Sequence, residues 1–295
     1  MYSDYVRPLG RLLTYLQLWY HAYADDTQAS KSARASDRYD QISTISRLQT
    51  GIHRVSEWMF HNKLKINQEK TEFLIIASKT NQRQIAVDHM TLDGNVIQRS
   101  EFARNLGVTF DSELSMLKHI NEIRRKCFCD LKWIWSIRKY MSMETTKSIV
   151  YALIISRLDN CHSLLYNLPI QSLKQLQSVM NAAARLVTLT PRDQSATDAL
   201  KKLHWLPVKS RIVFKILSIT YKALNNQAPS YICELLEPYV SSRKLRSSDK
   251  FQLRVPKCNI KYGERSFSYA APRLWNELPI DIKRPLSRIR DSKNC

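Results

Sequence analysis

Two adjacent aspartates, Asp25 and Asp26, have the residue type and spacing that suit nucleotidyl transfer. They lie between residues 12–24, a run rich in Leu, Tyr and Trp, and Thr27-Gln28, a pattern that predicts a strand, a tight turn and a second strand. Paired carboxylates at such a hairpin tip could help to hold two divalent cations, roughly 3.5–4 Å apart in two-metal sites. Asp is also an ordinary turn residue, so the dipeptide alone favours a plain turn.

Basic residues are concentrated in the second part of the chain. The whole sequence carries a net charge of +20. Residues 1–110 contain 14 Lys and Arg against 11 Asp and Glu, net +3, whereas residues 111–295 contain 32 against 15, net +17. Such an excess predicts a polyanionic partner, either nucleic acid or an anionic membrane surface. No predicted helix stands apart as a membrane-surface helix would, which favours nucleic acid.

One basic stretch also contains two tryptophans. Its members are Arg124, Arg125, Lys126, Lys132, Trp133, Trp135, Arg138 and Lys139. Cations that contact phosphates beside aromatic rings that stack on bases are typical of a groove for nucleic acid. The alternative is a solvated helix face with both Trp side chains in a core.

Cysteine spacing and hydropathy bear on the class of protein and its compartment. The six cysteines include no CxxC pair and no His at the spacing of a zinc module, so we interpret them as reduced thiols. The first residues carry charges where a signal peptide needs an apolar core, and no run approaches the roughly 18 apolar residues of a membrane span. These features predict an intracellular protein of nucleus or cytoplasm, neither secreted nor embedded in a membrane.

The elements that must position Asp25 and Asp26 follow from hydrophobic periodicity. Apolar residues at intervals of three and four predict a helix over residues 36–62, with Ile45, Leu48, Ile52, Val55 and Met59 facing a sheet. Short strands are predicted over 71–76, 91–97 and 106–110, with a turn at Asp93-Gly94-Asn95. With the helices predicted after residue 111, the fold class predicted for the chain is α+β.

Helical stripes dominate after residue 111. They run through Ile120, Ile123, Cys127, Leu131 and Ile134, through residues 149–158, and through Leu173, Leu176, Val179, Met180, Ala183 and Val187. Further helices are predicted over 195–203, 208–224 and 231–236, with prolines at their boundaries. The tail from Arg243 is predicted to be polar and basic, with strand-like runs at 251–255 and 266–270.

Several ordered motifs resemble one family, the reverse transcriptases of non-LTR (LINE-type) retrotransposons of the jockey-like and chicken-repeat-like clades. Tyr23-Ala24-Asp25-Asp26-Thr27-Gln28 resembles their third palm motif, and Val6-Arg7-Pro8-Leu9-Gly10 resembles the segment before it. Later motifs match in the same order, and the resemblance spans nearly the whole chain. These are Trp58, Asn62 and Lys63 to Glu72 (the next palm motif), Arg104-Asn105-Leu106-Gly107-Val108 (the primer grip), and Leu203 to Val208, Arg211 and Ala271 to Pro279 (the C-terminal region).

The resemblance implies an RNA-directed DNA polymerase that uses Mg²⁺, an RNA template and a DNA primer. It implies a partial polymerase palm over residues 1–112, an antiparallel hairpin plus a helix, then a mostly α-helical thumb over 113–190 and a basic C-terminal region over 191–295. Asp25 and Asp26 would be metal ligands and catalytic residues, and Lys70 a general acid toward the departing pyrophosphate. Leu106, Gly107, Arg124, Arg125, Lys126, Lys132, Trp133 and Trp135 would contact the primer or other nucleic acid.

One departure from the family pattern sets the expected activity. The first palm aspartate and the glycine-bearing nucleotide-pocket motif would precede the hairpin, and the sequence contains neither. Without the carboxylate that bridges both cations, the geometry for in-line attack is not preorganised. We therefore expect no polymerase activity from this chain alone. The alternative function is a non-catalytic nucleic-acid-binding, or inert, retrotransposon-derived fragment.

Two of the family-matched positions keep a plainer interpretation. Lys70 can be a solvated side chain at the start of a strand, because Lys is mostly exposed in proteins. Gly107, placed within a strand by the sequence pattern, marks either the close approach of a primer backbone or a β-bulge. Burial and backbone geometry distinguish these possibilities.

Overall fold

The computed structural model describes residues 2–239, 251–258 and 260–283. The chain divides into two compact units, Met1–Lys118 and His119–Cys295. The first unit combines helices with short, mostly antiparallel strands, and the described part of the second unit is almost entirely helical. The fold is therefore of the α+β class. The predicted boundary at residue 190 lies inside the second unit, where α7 (Ile170–Thr188) packs against later helices.

The helices and strands have the following bounds. In the first unit they are α1 (Tyr2–Tyr15), β1 (Trp19–Tyr23), β2 (Asp26–Ser30), α2 (Arg38–His61), β3 (Phe73–Leu74), α3 (Lys79–Gln82), β4 (His89–Leu92), β5 (Asn95–Ser100), β6 (Phe102–Asn105) and β7 (Val108–Asp111). From the boundary onward they are α4 (Leu117–Ile137), α5 (Met143–Val150), α6 (Ser156–Asp159), α7 (Ile170–Thr188), α8 (Ala196–Lys202), α9 (Val208–Leu224), α10 (Ser230–Cys233), α11 (Phe267–Glu277) and α12 (Ile280–Lys283). Within the described residues, no helix is both long and apolar enough to span a membrane.

Helix α1 corrects part of the strand predicted over residues 12–24. Leu9 and Leu13 lie one turn apart on its buried side and form a core with Leu18 and Val55. Burial of this helical stripe outweighs the strand preference of the neighbouring Tyr and Trp residues. Only the second half of the predicted run, Trp19–Tyr23, is a strand.

Helix α2 confirms the helix predicted over residues 36–62. The Asp37 side chain accepts a hydrogen bond from the Asp40 backbone N–H and caps the first turn. Of the predicted sheet-facing residues only Val55 is fully buried, and the other four are half-buried. Helix α2 contacts both α1 and β4, and Leu48 and Met59 join the core around Leu13.

Two tight turns organise the rest of the first unit. Asp93 and Gly94 join β4 to β5, and Leu106 and Gly107 join β6 to β7. In both turns the first residue has a φ of 47° and the glycine a φ of 83°. Positive φ at both central positions is the type I′ geometry, which matches the twist of paired strands.

The second turn corrects the strand prediction around residue 107. Leu106 and Gly107 were predicted to lie within a strand over 106–110, but they form the turn, and the strand begins at Val108. The strand predicted over 71–76 shortens to β3, which pairs parallel with β5. Both differences arise because short apolar runs fix the presence of a strand better than its ends.

The second unit is built around three amphipathic helices, as the periodicity predicts. All five stripe residues of α4 and all six of α7 are buried, and α9 occupies the predicted range of 208–224. Helix α7 packs on α5, α8 and α9, and α9 packs on α11. Between α5 and α6 the chain forms one π-helical turn, Tyr151–Ile155.

The described part of the tail differs from the prediction. Residues 251–255 contribute only an isolated bridge between Leu253 and Pro238, and residues 267–270 belong to α11 rather than to a strand. Ala270, Ala271, Leu274 and Trp275 are buried at helical spacing, which explains why a helix forms there. The polar segment predicted from Arg243 onward lies outside the described residues up to Lys250.

Candidate functional site

The tip of the β1–β2 hairpin carries the two aspartates, as predicted. Tyr23 pairs with Asp26 across the strands, and Ala24 and Asp25 form the two-residue turn. Ala24 adopts a left-handed φ of 52°, which side chains rarely tolerate outside tight turns. Both aspartates are exposed to solvent.

One face of this hairpin is open and aromatic. Side chains alternate along a strand, so Asp26 and Gln28 share a face with Trp19, His21 and Tyr23 of the paired strand. Trp19 is 78% exposed and Tyr23 is 69% exposed. On the opposite face Ala29 is half-buried and packs against the core, whereas Tyr20, Ala22 and Thr27 are exposed.

The hairpin that resembles the primer grip contacts this face. The Asn105 amide Nδ2 donates a hydrogen bond to Gln28 Oε1 at 2.8 Å. Gln28 lies two residues after Asp26 and therefore on the same face, and Asn105 directly precedes the Leu106-Gly107 turn. The contact joins two motifs that are 77 residues apart in sequence.

A third family-matched segment contacts the second. The carboxylate of Glu72 accepts a hydrogen bond from the backbone N–H of Arg104 at 2.8 Å. Lys70, two residues before Glu72, ends a 3₁₀ turn over Gln68–Lys70 and is exposed. It does not open a strand, since β3 begins at Phe73. The structure thus brings Gln28 and Asn105 into contact two residues along the strand from Asp26, whereas Lys70 belongs to a solvated 3₁₀ turn.

The carboxylates at the tip do not make a two-metal site. Among the described residues there is no group of three or more His, Cys, Asp or Glu side chains that could hold a metal ion. A two-metal site needs carboxylates that bridge both cations, and two neighbouring side chains on one exposed turn cannot surround them. The residues present therefore do not fit the Mg²⁺ centre that the family resemblance implies.

The basic helix α4 presents the second candidate surface. Its buried stripe leaves Arg124, Arg125, Lys126 and Lys132 exposed, together with Trp133 and Trp135. Trp133 is 70% exposed and Trp135 is 60% exposed, so neither tryptophan lies in a core. The six predicted contact residues on α4 are all accessible to a ligand.

These six residues do not form one groove. An α-helix turns by about 100° per residue, so Trp133 and Trp135 lie about 160° apart around the axis. Arg124 and Lys132 share the side of Trp135, Lys126 shares the side of Trp133, and Arg125 lies midway between the two tryptophans. Phe128, which the sequence interpretation missed, also lies on the Trp135 side and is 37% exposed. Its spacing of seven residues from Trp135 is the signal that could have identified it.

Other cations of the second unit have structural partners. Arg138 is only 8% exposed and donates hydrogen bonds to the carbonyl oxygens of Leu186, Met141 and Val187. Arg157 forms an ion pair with Asp130, and Arg211 forms one with Asp159. Arg138, grouped with the nucleic-acid contacts by sequence, is therefore corrected to a structural residue.

An open pocket of about 870 Å³ lies where α8 ends and α9 begins. His204, Trp205, Lys201 and Gln177 contribute to its wall. Trp205 is buried and its ring packs edge-on against that of Tyr151. The residues that line this pocket include the cation Lys201 and no carboxylate.

Comparison with protein-family models, curated proteins and solved structures finds no match to this chain.

Proposed function

We propose that this chain is a portion of a LINE-type reverse transcriptase, an RNA-directed DNA polymerase, and that by itself it binds nucleic acid without copying it. The observation that carries the family assignment is the hydrogen bond between Gln28 and Asn105. In a polymerase the grip on the primer must lie beside the catalytic carboxylates, because the primer end is the attacking group. A contact between these two motifs is what that arrangement requires.

In this proposal the first unit is a partial polymerase palm, and the helices that begin with α4 are a thumb followed by the C-terminal region. The Glu72–Arg104 contact supports the palm assignment, since it links the segment after α2 to the hairpin that resembles the primer grip. The net charge of +17 over residues 111–295 supports contact of the helical part with phosphates.

The proposal that the chain alone does not copy nucleic acid is supported by the tip of the β1–β2 hairpin. Asp25 and Asp26 supply carboxylates on one exposed turn, and no further acidic side chain joins them among the described residues. Two cations held without a bridging carboxylate would not be fixed in line with the attacking hydroxyl. The second candidate function, a non-catalytic nucleic-acid-binding protein, therefore describes the expected behaviour of the chain alone.

Two measurements on the purified chain test this proposal with one labelled DNA primer annealed to an RNA template. Fluorescence anisotropy should report salt-dependent binding, and a primer-extension assay with Mg²⁺ or Mn²⁺ should show no deoxynucleotide incorporation. Robust incorporation that Asp25→Asn abolishes would establish the chain as an active polymerase. A chain that shows neither binding nor incorporation would contradict the nucleic-acid function altogether.

A further inference from the structure

One side of α4 alternates cations with aromatic rings. Arg124, Phe128, Lys132 and Trp135 follow one another at intervals of four, four and three residues, which aligns them along one side of the helix. Arg125 lies at the edge of this row, three residues before Phe128 and three after Glu122. We call these five residues the Trp135 face. The Arg124 guanidinium lies 5.7 Å from the centre of the Phe128 ring, so cation and ring already form one surface.

The other side of the same helix has a different charge. Trp133 lies there with Glu122, Lys126 and Cys129, which we call the Trp133 face. Asp130, between this side and the buried stripe, is paired with Arg157. The Trp135 face therefore has two cations, Arg124 and Lys132, a third, Arg125, at its edge, and no acidic side chain, whereas the Trp133 face balances one cation with one carboxylate. Both faces expose one tryptophan.

We propose that the Trp135 face is a binding surface for single-stranded nucleic acid, with Phe128 and Trp135 stacking on unpaired bases and Arg124, Arg125 and Lys132 contacting phosphates. This inference rests on the proposed function and names its ligand and its surface. Charge complementarity selects the Trp135 face over the Trp133 face, since only the former offers an unopposed run of cations.

The aromatic rings determine that the ligand is single-stranded. In a duplex the bases are already stacked on one another, so a helix surface meets mainly the phosphate backbone. An unpaired base has a free π face, and stacking on an aromatic side chain then adds affinity with little dependence on sequence. Phe128 and Trp135 are two helical turns, about 10 Å, apart along the axis, with Lys132 between them. This order places a cation between two stacking platforms, as a phosphate lies between bases.

The test compares two substitutions of the same residue type on one helix. Full-length chain carrying Trp135→Ala or Trp133→Ala is titrated into a fluorescein-labelled oligothymidylate and into a labelled duplex of equal length, each across a salt series. Trp135→Ala should weaken binding to the single strand by roughly tenfold with the salt slope unchanged, because an aromatic ring releases no counterions. Trp133→Ala should leave the affinity nearly unaltered. Trp135→Phe, which keeps a ring, should restore most of the binding.

A second variant tests the cations. Substitution of Arg124, Arg125 and Lys132 together by Ala should flatten the log–log salt slope by about 2, which is the contribution of three phosphate contacts on a single strand. Lys126→Ala on the opposite side should change the slope much less. Polyglutamate, a polyanion without bases, should compete poorly with the oligonucleotide.

Three results would overturn the inference. Equal losses in Trp133→Ala and Trp135→Ala would show that the helix binds without a preferred side. Equal affinity for duplex and single strand, or efficient competition by polyglutamate, would show a merely basic surface. In each case the chain still binds nucleic acid, so the proposed function stands while the assignment of the face fails. Loss of all binding in the unmodified chain would reject both.

Discussion

Arg138 provides a sharp test of how the second unit is held together. Its guanidinium is buried and spans three carbonyl oxygens, those of Leu186 and Val187 at 3.1 Å and that of Met141 at 2.7 Å. Leu186 and Val187 lie in the last turn of α7, where carbonyl groups lack helical partners and a cation is favoured. Arg138→Met keeps most of the apolar stem but leaves these carbonyls without their donor.

The expected loss of stability follows from the number and kind of these bonds. A hydrogen bond from a charged donor contributes about 1.5–3 kcal/mol, and the contributions of one side chain are not additive. We therefore expect Arg138→Met to lower the free energy of unfolding by about 3 kcal/mol. For a unit of this size, each kcal/mol of lost unfolding free energy lowers the unfolding temperature by about 2–4 °C. The unfolding temperature should therefore fall by about 6–12 °C.

Differential scanning calorimetry of the full chain measures this shift, and hydrogen exchange locates it at the end of α7. Arg124→Met is the matched control, since it is the same substitution on α4 at an exposed position and should change stability by less than about 0.5 kcal/mol. Arg138→Lys keeps the positive charge but lacks the planar guanidinium with its several N–H donors, so it should recover only part of the lost unfolding free energy. Equal unfolding temperatures for Arg138→Met and Arg124→Met would refute the structural role of Arg138.

Three further predictions concern single positions. The hydrogen bond from Ser56 is the largest cause that lowers the pKa of Asp93 from 3.8. The contact of the Asp93 turn with α2 is therefore stabilised at pH values above 3.8, and this stabilisation is lost as the pH falls through the lowered pKa. Hydrogen exchange of α2 against pH measures this, and Asp93→Asn should abolish the dependence. Burial raises the pKa of Cys127 to about 11, so iodoacetamide at neutral pH should modify the exposed Cys129 and spare Cys127, as peptide mass spectrometry can show. Gly107→Ala should destabilise the chain by about 1 kcal/mol in thermal unfolding, because Gly107 has a φ of 83° that a Cβ disfavours.

The long helices were predictable because their stability comes from one buried stripe. The spacing of Ile120, Cys127 and Leu131 in α4 fixes which side faces the core before any contact is known. The start of α9 at Val208 was predictable for a second reason. Pro207 lacks a backbone N–H and its ring clashes with a preceding turn, so it marks a helix start rather than a helix interior.

The failed strand predictions share a physical cause. Residues 12–15 and 266–270 contain aromatic or small residues in short runs, and such runs fit a strand as well as a buried helix. Tertiary packing decided both cases. Leu13 is buried beside Leu9, and Ala270 is buried one turn before Leu274, contacts that only a helix can make. Their spacing of four residues was visible in the sequence, but each run is too short for periodicity alone to outweigh residue preference.

The candidate sites show a different limit of sequence reasoning. The aspartate pair was placed correctly because a turn between two short strands is a local structure, set by residues next to each other. The contact between Gln28 and Asn105 depends on how two distant hairpins pack, and no local pattern encodes it. For the tryptophans of α4, in contrast, the spacing of two residues on a helix already implied opposite sides.

The net charge of residues 111–295 overestimates the number of cations that can contact the phosphates of a nucleic acid. Of the cations that give residues 111–295 their net charge of +17, Arg138 is used by helix carbonyls, and Arg157 and Arg211 are used by carboxylates. Charges held in this way release few counterions, because they are already paired within the protein. A groove engaging about five phosphates would give a salt slope of roughly −3.5 on single strands, whereas the three cations of the Trp135 face give about −2. The measured slope therefore distinguishes a ligand held by one side of α4 from one spread over the whole basic surface.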